Sequence, residues 1–508
     1  MVNILNNILE YLENTVNAYR DKVAYTDGEN SMTFGELYQN ARAIGTALAK
    51  KECYKEPIIV FMDKSPETVA AFMGVIYSGN YYVPIDEEMP KSRIDLIISG
   101  LKPKQIICHR KIAERIDEFT DCKNILIYEE LINEDICDET LADIRAKQID
   151  TDPIYIVFTS GSTGIPKGVI ACHRSVIDYI ETLSEVLEVS DETVFGNQTP
   201  LYVDACLKEV YTTMKYGSTT FFIPKQLFMM PVKLVEYLNE YKINTVCWVV
   251  PALTIISGLG AFQKVVPQYL KVIAFGSEVF PVKQFKLWKE YVPNAKYINL
   301  YGPTEATGMS CYYIVNRDFE ENEPIPIGKP FRNTEIMLID DENKLVTDKE
   351  KEGEIYIRGT AVTLGYYNDF ERTSASFVQN PLNNKYPEIV YKTGDLAKYN
   401  KYGELIYISR RDHQIKHMGH RIELGEIEAA VNQFDGVNVG CCVYDEEKKK
   451  IYLVYQGTSE VADVVEKLKD KLPRYMIPSS VKQMEALPLT LNGKIDRVKI
   501  KNEIIKRK

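Results

Sequence analysis

The chain has 508 residues and a net charge of −11; 45% of its residues are hydrophobic and 26% are charged. This length favours two or more domains, and an acidic balance without a long basic block argues against nucleic acid as a partner. No run of residues approaches the roughly 20 apolar positions of a membrane-spanning helix, and the N-terminus lacks the basic and apolar regions of a signal peptide. We therefore expect a soluble, cytoplasmic protein of several domains with no membrane partner.

Apolar runs alternate with amphipathic stretches through most of the chain. Residues 33–50 and 66–77 have the periodicity of amphipathic helices. Strands are predicted at residues 58–61, 105–108, 154–158, 245–250 and 272–275. This alternation is typical of an α/β fold with a largely parallel sheet.

The pattern of predicted elements changes after about residue 330, where short β-rich runs such as residues 353–357 become frequent. A strand at residues 404–408 leads into a charged turn at residues 409–412. Beyond it, a compact segment has its own predicted helix (423–433) and strands (437–443 and 451–455). We place a domain boundary near residue 410, which gives one domain at residues 1–409 and a second at residues 410–508.

The most informative motif follows the strand predicted at residues 154–158. It reads Thr-Ser-Gly-Ser-Thr-Gly-Ile-Pro-Lys-Gly over residues 159–168. Glycines let backbone N–H groups turn toward an anion, hydroxyl groups donate hydrogen bonds, and a lysine adds positive charge. The motif differs from the ordinary P-loop, because Lys167 is followed by Gly168 and not by Ser or Thr. Read alone, it indicates either a phosphate-binding loop or a flexible surface turn.

Cysteine and histidine are present without a recognisable metal-binding pattern. The ten cysteines include no Cys-x-x-Cys pair, and we interpret them as reduced thiols of a cytoplasmic protein. His413, His417 and His420 are close in sequence, but no cysteine or carboxylate completes a ligand set with the usual spacing. We do not expect a transition-metal site there.

Three further motifs carry residue types that are common in catalytic sites. Residues 299–305 read Asn-Leu-Tyr-Gly-Pro-Thr-Glu, residues 391–395 place an aspartate after a predicted turn, and residues 488–497 place Lys494 after Asn-Gly. Each alone is equally typical of an ordinary turn or a solvated lysine. Together with residues 159–168, they resemble the adenylate-forming superfamily, and specifically the adenylation domains of nonribosomal peptide synthetases. The resemblance covers nearly the whole chain, from residues 32–37 and 78–86 to the C-terminal lysine motif.

The resemblance implies a fold and a two-step reaction. The fold is α/β, with a large N-terminal domain of two α/β subdomains and a small β-barrel-like subdomain, followed by a small mobile α+β C-terminal domain. In the first half-reaction a carboxylate attacks the α-phosphate of ATP, which gives an acyl-adenylate and pyrophosphate. In the second, a phosphopantetheine thiol displaces AMP. The implied cofactors are ATP and Mg²⁺, and the implied partner is a discrete phosphopantetheinylated carrier protein.

The resemblance also implies which residues hold the phosphates and the metal. The departing phosphates are expected at Thr159, Ser160, Thr163 and Lys167. Hydroxyl and ammonium donors stabilise the negative charge that develops there. Glu305 is expected to bind Mg²⁺, a hard cation that prefers oxygen ligands, and Thr304 to donate to the α-phosphate.

The nucleoside is expected between four side chains and several supporting positions. Tyr301 would stack on adenine and Asn299 would bond its edge, while Asp395 and Arg410 would bind the ribose. The remaining nucleotide-binding positions that the resemblance implies are Gly161, Gly276, Ser277, Glu278, Leu300, Gly302 and Tyr407.

The implied catalytic residues are Lys494, Thr304 and Glu305. Lys494 would bridge the substrate carboxylate and the α-phosphate, which neutralises two anions that otherwise repel each other. In this family the C-terminal domain rotates between the half-reactions, so that Lys494 serves only the first. Asp412 matches the hinge position, and Gly419 lies in the loop expected to face the thiol tunnel.

Asp204 is the main indicator of the substrate. It matches the aspartate that binds the α-ammonium group in peptide-synthetase adenylation domains, although an aspartate here could also cap the next helix or pair with Lys208 four residues on. The other pocket positions implied by the resemblance are Ala205, Lys208, Trp248, Ile273, Phe275, Leu300, Gly308 and Met309.

Two of these positions carry bulky rings, Trp248 and Phe275, which predict a shallow pocket. A small amino acid (alanine, glycine or serine) is favoured. An acidic one stays open, because the ammonium group of Lys208, if buried, needs an anion, which could be a substrate carboxylate or a neighbouring acid, Asp204 or Glu209.

The sequence departs from the family at two positions, and other functions compete. Val203 replaces the usual aromatic residue before Asp204, and Ser409 replaces the usual glycine before Arg410. A D-alanine–carrier protein ligase is the main alternative. An acyl-CoA ligase is disfavoured by Asp204, and a non-catalytic nucleotide sensor on the same scaffold is disfavoured by the retained catalytic positions.

Overall fold

The computed structural model describes residues 5–51, 53–122, 124–161, 164–321, 323–411, 414–489 and 495–505. The strands in these ranges are β1 (Val23–Thr26), β2 (Ser31–Thr33), β3 (Pro57–Phe61), β4 (Tyr81–Ile85), β5 (Gln105–Cys108), β6 (Ile125–Ile127), β7 (Pro153–Thr159), β8 (Lys167–Cys172), β9 (Val194–Asn197), β10 (Thr219–Phe222), β11 (Thr245–Val249), β12 (Val272–Gly276), β13 (Lys296–Tyr301), β14 (Cys311–Ile314), β15 (Lys329–Pro330), β16 (Thr334–Ile339), β17 (Gly353–Gly359), β18 (Phe377–Gln379), β19 (Ile389–Tyr399), β20 (Leu405–Arg410), β21 (Gln414–His417), β22 (His420–Glu423), β23 (Val437–Asp445), β24 (Lys450–Gly457) and β25 (Ser480–Gln483).

The α-helices in the same ranges are α1 (Glu10–Tyr19), α2 (Phe34–Ala49), α3 (Pro66–Tyr77), α4 (Lys91–Leu101), α5 (Arg110–Ala113), α6 (Tyr128–Leu131), α7 (Asp138–Arg145), α8 (His173–Leu187), α9 (Leu207–Tyr216), α10 (Pro231–Glu240), α11 (Val250–Gly258), α12 (Val282–Tyr291), α13 (Phe370–Ser376), α14 (Leu424–Val431), α15 (Val461–Lys471) and α16 (Arg497–Ile505). No helix in the described part of the chain is both long and apolar enough to span a bilayer. All ten cysteines are free thiols.

Two large sheets form the N-terminal part, and both are mainly parallel. One has the strand order β6-β5-β3-β4-β7-β8, and the other has the order β15-β14-β13-β12-β11-β9-β10-β1-β2. Strands β9 to β13 run parallel, as the alternation of apolar and amphipathic segments predicts. The largest apolar core combines side chains of α2, α3, α8 and α9 with strands of both sheets, so these helices are buried between the two sheets.

The sequence explains where the first helices begin. Thr33 caps α2 through a reciprocal pair of hydrogen bonds with Glu36, which satisfies backbone donors that a helix leaves free at its start. Ser65 caps α3 in a similar way, and Pro66 follows at the first helical position. The observed bounds of α3 are those predicted for residues 66–77.

A third sheet, formed by β16 to β20, is antiparallel. The sequence prediction of a turn at residues 391–395 is wrong, because these residues lie inside β19. Gly394 adopts a positive φ of 77° where the pairing with β17 shifts register, so the feature is a bulge. The predicted turn at residues 409–412 is also wrong in part, since β20 extends to Arg410 and Ser409 pairs with Leu396.

The described residues 414–489 and 495–505, here called the C-terminal unit, have a separate apolar core. The hairpin β21–β22 leads into α14, and a sheet of order β23-β24-β25 packs with α14 and α15. The predicted helix at residues 423–433 is α14, which is shorter. The predicted boundary near residue 410 coincides with the end of β20.

Candidate functional site

A partly open cavity lies at the carboxyl ends of β7, β12 and β13 and is bordered on one side by the hairpin β21–β22. Its volume is about 100 Å³. It is lined by predicted nucleotide residues (Thr159, Ser160, Ser277, Gly302, Thr304, Asp395 and Arg410) and by predicted substrate residues (Asp204, Ala205, Gly308 and Met309). The carboxyl ends of parallel strands are the usual ligand-binding edge of α/β sheets. The volume is below the range of about 300–1,000 Å³ of typical ligand pockets, and Lys416, Gly419 and Arg421 of the hairpin form part of the cavity wall.

A wider cleft of about 470 Å³ lies between α4 and α14. The described residues that line it include none of the positions predicted to bind nucleotide or substrate, so the smaller cavity is the candidate active site.

Residues 159–168, here called the phosphate-type loop, connect β7 to β8. These two strands pair antiparallel, with Thr159 opposite Lys167. The Thr159 hydroxyl is buried and has no hydrogen-bond partner among the residues that the structure describes, so it can donate to an incoming anion. A Cβ atom on Gly161 would lie 2.0 Å from the Ile165 carbonyl oxygen, so only glycine fits there. Burial, reinforced by the charge of Arg421, lowers the pKa of Lys167 to about 8, although Glu305 opposes this shift.

Glu305 is fully buried, and both of its carboxylate oxygens accept from protein donors. Oε1 accepts from the Tyr366 hydroxyl at 2.7 Å and lies 3.3 Å from Lys167 Nζ. Oε2 accepts from Arg421 Nη1 at 2.7 Å. Burial alone would raise the pKa of Glu305, but the charges of Arg421 and Lys167 hold it well below its usual value. The carboxylate is therefore ionised and can serve as a cation ligand.

Asp395, the residue predicted to bind the ribose, lies on the bulge of β19. Its Oδ2 accepts from the Tyr301 hydroxyl at 2.5 Å, and its Oδ1 accepts from Arg410 Nη1 at 2.9 Å. The bulge places Asp395 opposite Arg410 of β20. Lys416 Nζ lies 5.4 Å from the centre of the Tyr301 ring and 6.0 Å from that of Tyr407, so an ammonium group lies over the ring predicted to stack on adenine.

The other nucleotide positions surround the cavity without lining it. Asn299 donates to the carbonyls of Ile325 and Pro326, and Glu278 accepts from the backbone N–H of Gly419 at 2.9 Å. The residues predicted for nucleotide binding that are described but do not line the cavity are Gly161, Lys167, Gly276, Glu278, Asn299, Leu300, Tyr301 and Tyr407.

At the substrate end, Asp204 is 7% exposed and lies in a 3-10 turn before α9. It is not at a capping position, since α9 is preceded by Cys206 without a side-chain cap. The described contacts include no ion pair between Asp204 and Lys208 within 4 Å. Burial raises the pKa of Asp204, and the Thr304 hydroxyl and Lys208 act in the opposite direction. Neither alternative for Asp204, capping or direct pairing, is met.

Lys208 is only 4% exposed, and no hydrogen bond or ion pair of its ammonium group is among the described contacts. The neighbouring Glu209 is fully buried and accepts from Asn197 Nδ2 at 3.2 Å, while its other oxygen has no partner. Burial raises the pKa of Glu209, and Lys208 opposes this. The lysine is therefore near two acids without a direct contact to either.

The rings expected to restrict the pocket are packed in the apolar core. Trp248, Ile273 and Phe275 belong to one buried cluster, and the Trp248 indole donates to the Gly196 carbonyl at 2.7 Å. Leu300 belongs to the main core. None of these four described residues lines the cavity, whose substrate end is bounded by Ala205, Gly308 and Met309.

Sequence reasoning missed several residues of the site, and three predicted ones lie outside the described residues. Missed were Arg93, Tyr202, Tyr366, Lys416, Arg421 and Tyr475. Lys416 and Arg421 carried a usable signal, since they lie within three residues of Gly419, which the resemblance placed in a functional loop. Outside the described residues lie Thr163, Asp412 and Lys494. Ile495, next to Lys494, packs against Cys441 and Val443 of β23.

A loop of phosphate-binding type, a buried carboxylate held between cations and a second carboxylate beside a tyrosine define a nucleotide-binding α/β enzyme. The chain belongs to the family of AMP-binding enzymes, which it matches over residues 12–367. This confirms the resemblance to adenylate-forming enzymes that the motifs predicted.

Peptide synthetases are among the similar proteins. Bacitracin synthase 1 of Bacillus licheniformis is 32% identical over 484 residues, which are 94% of this chain and 9% of that synthase. The chain therefore spans about a tenth of the length of this relative.

Solved structures confirm the fold class. The adenylation domain AlmE of Vibrio cholerae, in complex with glycyl-adenosine-5'-phosphate, has a TM-score of 0.84 at 17% identity and covers 99% of this chain and 98% of its own. Holo-PA1221, described as an NRPS protein containing adenylation and PCP domains, has a TM-score of 0.84 at 22% identity and covers 98% and 84%.

Proposed function

We propose that the protein activates an amino acid with ATP as an aminoacyl-adenylate, releases pyrophosphate, and transfers the aminoacyl group to the phosphopantetheine thiol of a separate carrier protein. The observation that carries the proposal is the shared cavity of Asp204 and the nucleotide residues. The buried carboxylate of Asp204, which has no cationic partner within 4 Å among the described residues, lies beside Thr304 and lines the same cavity as Thr159 and Asp395. It can neutralise the α-ammonium group of an amino acid whose carboxylate faces the α-phosphate.

The residues present fit ATP and Mg²⁺. The unpartnered Thr159 hydroxyl and the Lys167 ammonium group can bind phosphate oxygens, and Asp395 offers acceptors for ribose hydroxyls. Glu305 supplies the anionic oxygen ligand that Mg²⁺ prefers. When bound, the cation neutralises charge on the phosphates, and the chain's own donors fix their position.

We infer a small neutral side chain for the substrate. Ala205, Gly308 and Met309 line this end of the cavity, and the bulky rings of Trp248 and Phe275 are packed in an apolar core that does not open into it. A second candidate is an acidic amino acid. Lys208 is buried and has no ion-pair partner among the described contacts, and a buried ammonium group of this kind would gain from an incoming carboxylate.

An exchange of ATP with labelled pyrophosphate over a panel of amino acids, their D-forms, fatty acids and aryl acids tests the proposal. We expect exchange with one or a few small amino acids. Exchange confined to D-alanine would identify a D-alanine–carrier protein ligase, and exchange with fatty acids would identify an acyl-CoA ligase. Exchange with no acid would leave a nucleotide-binding protein without this activity.

The carrier is tested separately. We expect loading of a discrete holo-carrier protein in place of free CoA. Efficient transfer to CoA with no loading of any carrier would contradict the proposed second step.

A further inference from the structure

A further cation lies against the phosphate-type loop, and none of the motifs pointed to it. This is Arg372 of α13, whose side chain is 27% exposed. A Cβ atom placed on Gly161 would lie 3.7 Å from Arg372 Nη1, so the guanidinium group is within reach of a ligand held by this loop. Lys167, at the other end of the loop, is only 8% exposed. One of the two cations thus lies in the core and the other lies near the surface.

The backbone fixes the position of Arg372 relative to the loop. The backbone N–H of Tyr367 donates to the carbonyl of Gly168, the last residue of the loop, at 2.8 Å. Asp369 then caps α13 by accepting from the backbone N–H of Arg372 at 3.0 Å. The start of α13 is therefore attached to the loop through two residues of main chain and one cap, which holds the arginine beside Gly161.

The same segment also reaches the carboxylate expected to bind the metal. The Tyr366 hydroxyl donates to Glu305 at 2.7 Å, and Lys167 Nζ lies 5.1 Å from the centre of the Tyr366 ring. Lys167 Nζ is also 3.3 Å from Glu305 Oε1, so its charge is shared with that carboxylate. A pyrophosphate carries several negative charges, and a second protein cation at the loop would stabilise it further.

An ion pair on the helix surface is the ordinary role of such an arginine. Arg372 Nη1 lies 3.4 Å from Asp369 Oδ2, and the two side chains are 27% and 34% exposed. Exposed pairs of this kind are weak, so this contact does not prevent the guanidinium group from binding a phosphate. A guanidinium group presents pairs of donors that match phosphate oxygens, and it keeps its proton in proteins.

We propose that Arg372 is a further phosphate-binding residue, which contacts the pyrophosphate portion of ATP beside Gly161 while Lys167 contacts it from the core. This rests on the proposed function. Thr159 lines the cavity, so a triphosphate whose α-phosphate lies beside Thr304 extends along the loop toward Gly161. Arg372 takes no part in making or breaking a bond. It stabilises the charge that develops on pyrophosphate as the bond between the α- and β-phosphates breaks.

Calorimetric titrations of the intact protein with magnesium pyrophosphate and with AMP test this role. Arg372→Gln removes the charge and keeps a side chain of good helix propensity. We expect its affinity for magnesium pyrophosphate to fall about tenfold or more, as for the loss of a hydrogen bond to a charged group. Its affinity for AMP, which lacks the β- and γ-phosphates, should stay within about twofold. Arg372→Lys should lose less affinity for magnesium pyrophosphate, because it keeps the charge without the paired donors.

The matched control is Arg115→Gln. Arg115 also pairs with an acid three residues away, Glu118, at 2.8 Å, and it does not line the cavity, so this variant should change neither affinity. If Arg372→Gln bound magnesium pyrophosphate as tightly as the unmodified protein, the proposal would be overturned. Equal weakening of pyrophosphate and AMP would overturn it as well, because the residue would then only support the fold.

Failure of the proposed function has a different signature, namely no pyrophosphate exchange with any acid by the unmodified enzyme. The two titrations need no acid, so they decide on Arg372 in that case too. Absence of any binding of magnesium pyrophosphate to the unmodified protein would overturn the role of Arg372.

Discussion

The two ends of the cavity differ in how their charges are satisfied. At the nucleotide end, Glu305 and Asp395 each accept two short hydrogen bonds or ion pairs from the protein. At the substrate end, Asp204 and Lys208 are also buried, but neither has an ion-pair partner among the described contacts. Groups at the first end must exchange a protein partner for a ligand, whereas we expect those at the second end to gain a partner of opposite charge when the substrate binds.

This difference predicts where substitutions act. Changes at the nucleotide end should alter the balance between conformations of the C-terminal unit. Changes at the substrate end should alter which acid is bound and how stable the free protein is.

Lys494→Ala should have the largest effect. It tests whether adenylate formation and transfer to the thiol depend on different residues. The lysine is expected to neutralise the substrate carboxylate and the α-phosphate in the first half-reaction only. We expect adenylate formation to fall by a factor on the order of a thousand, with transfer from supplied aminoacyl-adenylate largely intact. Pyrophosphate exchange and single-turnover transfer measure the two steps.

The control is Lys499→Ala, on an exposed lysine of α16, which should affect neither step. Equal loss of both steps in Lys494→Ala would contradict a rotation of the C-terminal unit between half-reactions.

Asp204→Asn should have the next largest effect. It removes the only charge proposed for the substrate ammonium group, and such buried pairs are worth about 2–5 kcal/mol, so kcat/KM for the amino acid should fall roughly a hundredfold. Binding of AMP, measured by calorimetry, should change little. Asp143→Asn, at an exposed position of α7, serves as the control. A variant with normal amino-acid kinetics would remove the basis for an amino-acid substrate.

The pH dependence at the nucleotide end should be smaller. Burial, with help from Arg421, lowers the pKa of Lys167 to about 8, so the ammonium charge is present below this pH and lost above it. Affinity for magnesium pyrophosphate should therefore weaken by about tenfold between pH 7 and pH 9. Calorimetric titrations at several pH values measure this change.

Lys167→Arg keeps its charge over this range and reports any effect of the ligand's own ionisation. A pH dependence that is the same in the variant and in the unmodified protein would exclude Lys167 as the titrating group.

Lys208→Met should have the smallest effect. It distinguishes a small neutral substrate from an acidic one. It replaces a buried, unpaired ammonium group by an apolar chain of similar size, so the free energy of unfolding should rise by about 1–3 kcal/mol. If the substrate is small and neutral, pyrophosphate exchange should persist. Thermal unfolding and exchange are measured together, and loss of exchange with retained folding would favour the acidic substrate.

Much of the fold and part of the site follow from local sequence. The apolar runs at β3, β5, β7 and β12 and the amphipathic stretches of α2 and α3 could be placed because each depends on neighbouring residues. The composition of residues 159–168 alone left a phosphate-binding loop and a flexible surface turn open, and the other motifs were needed to favour the first.

The contacts that close the site could not be predicted in this way. Arg421 and Glu305 are 116 residues apart, and Arg93 and Glu426 are 333 residues apart. Such contacts depend on how two folded units meet, for which short motifs carry no information. The bulge at Asp395 was missed for a similar reason, since a Gly-Asp step reads as a turn until its pairing strands are known.

The bulge in β19 has a mechanical consequence. Asp395 faces Arg410, the last residue of β20, and the chain passes directly from there into the link to the C-terminal unit. The carboxylate expected to bind the ribose and the start of that link are thus held by the same pair of strands, β19 and β20. A single residue inserted between positions 411 and 414 should therefore weaken the affinity for AMP, measured by calorimetry. The affinity of residues 159–168 for magnesium pyrophosphate should stay unchanged.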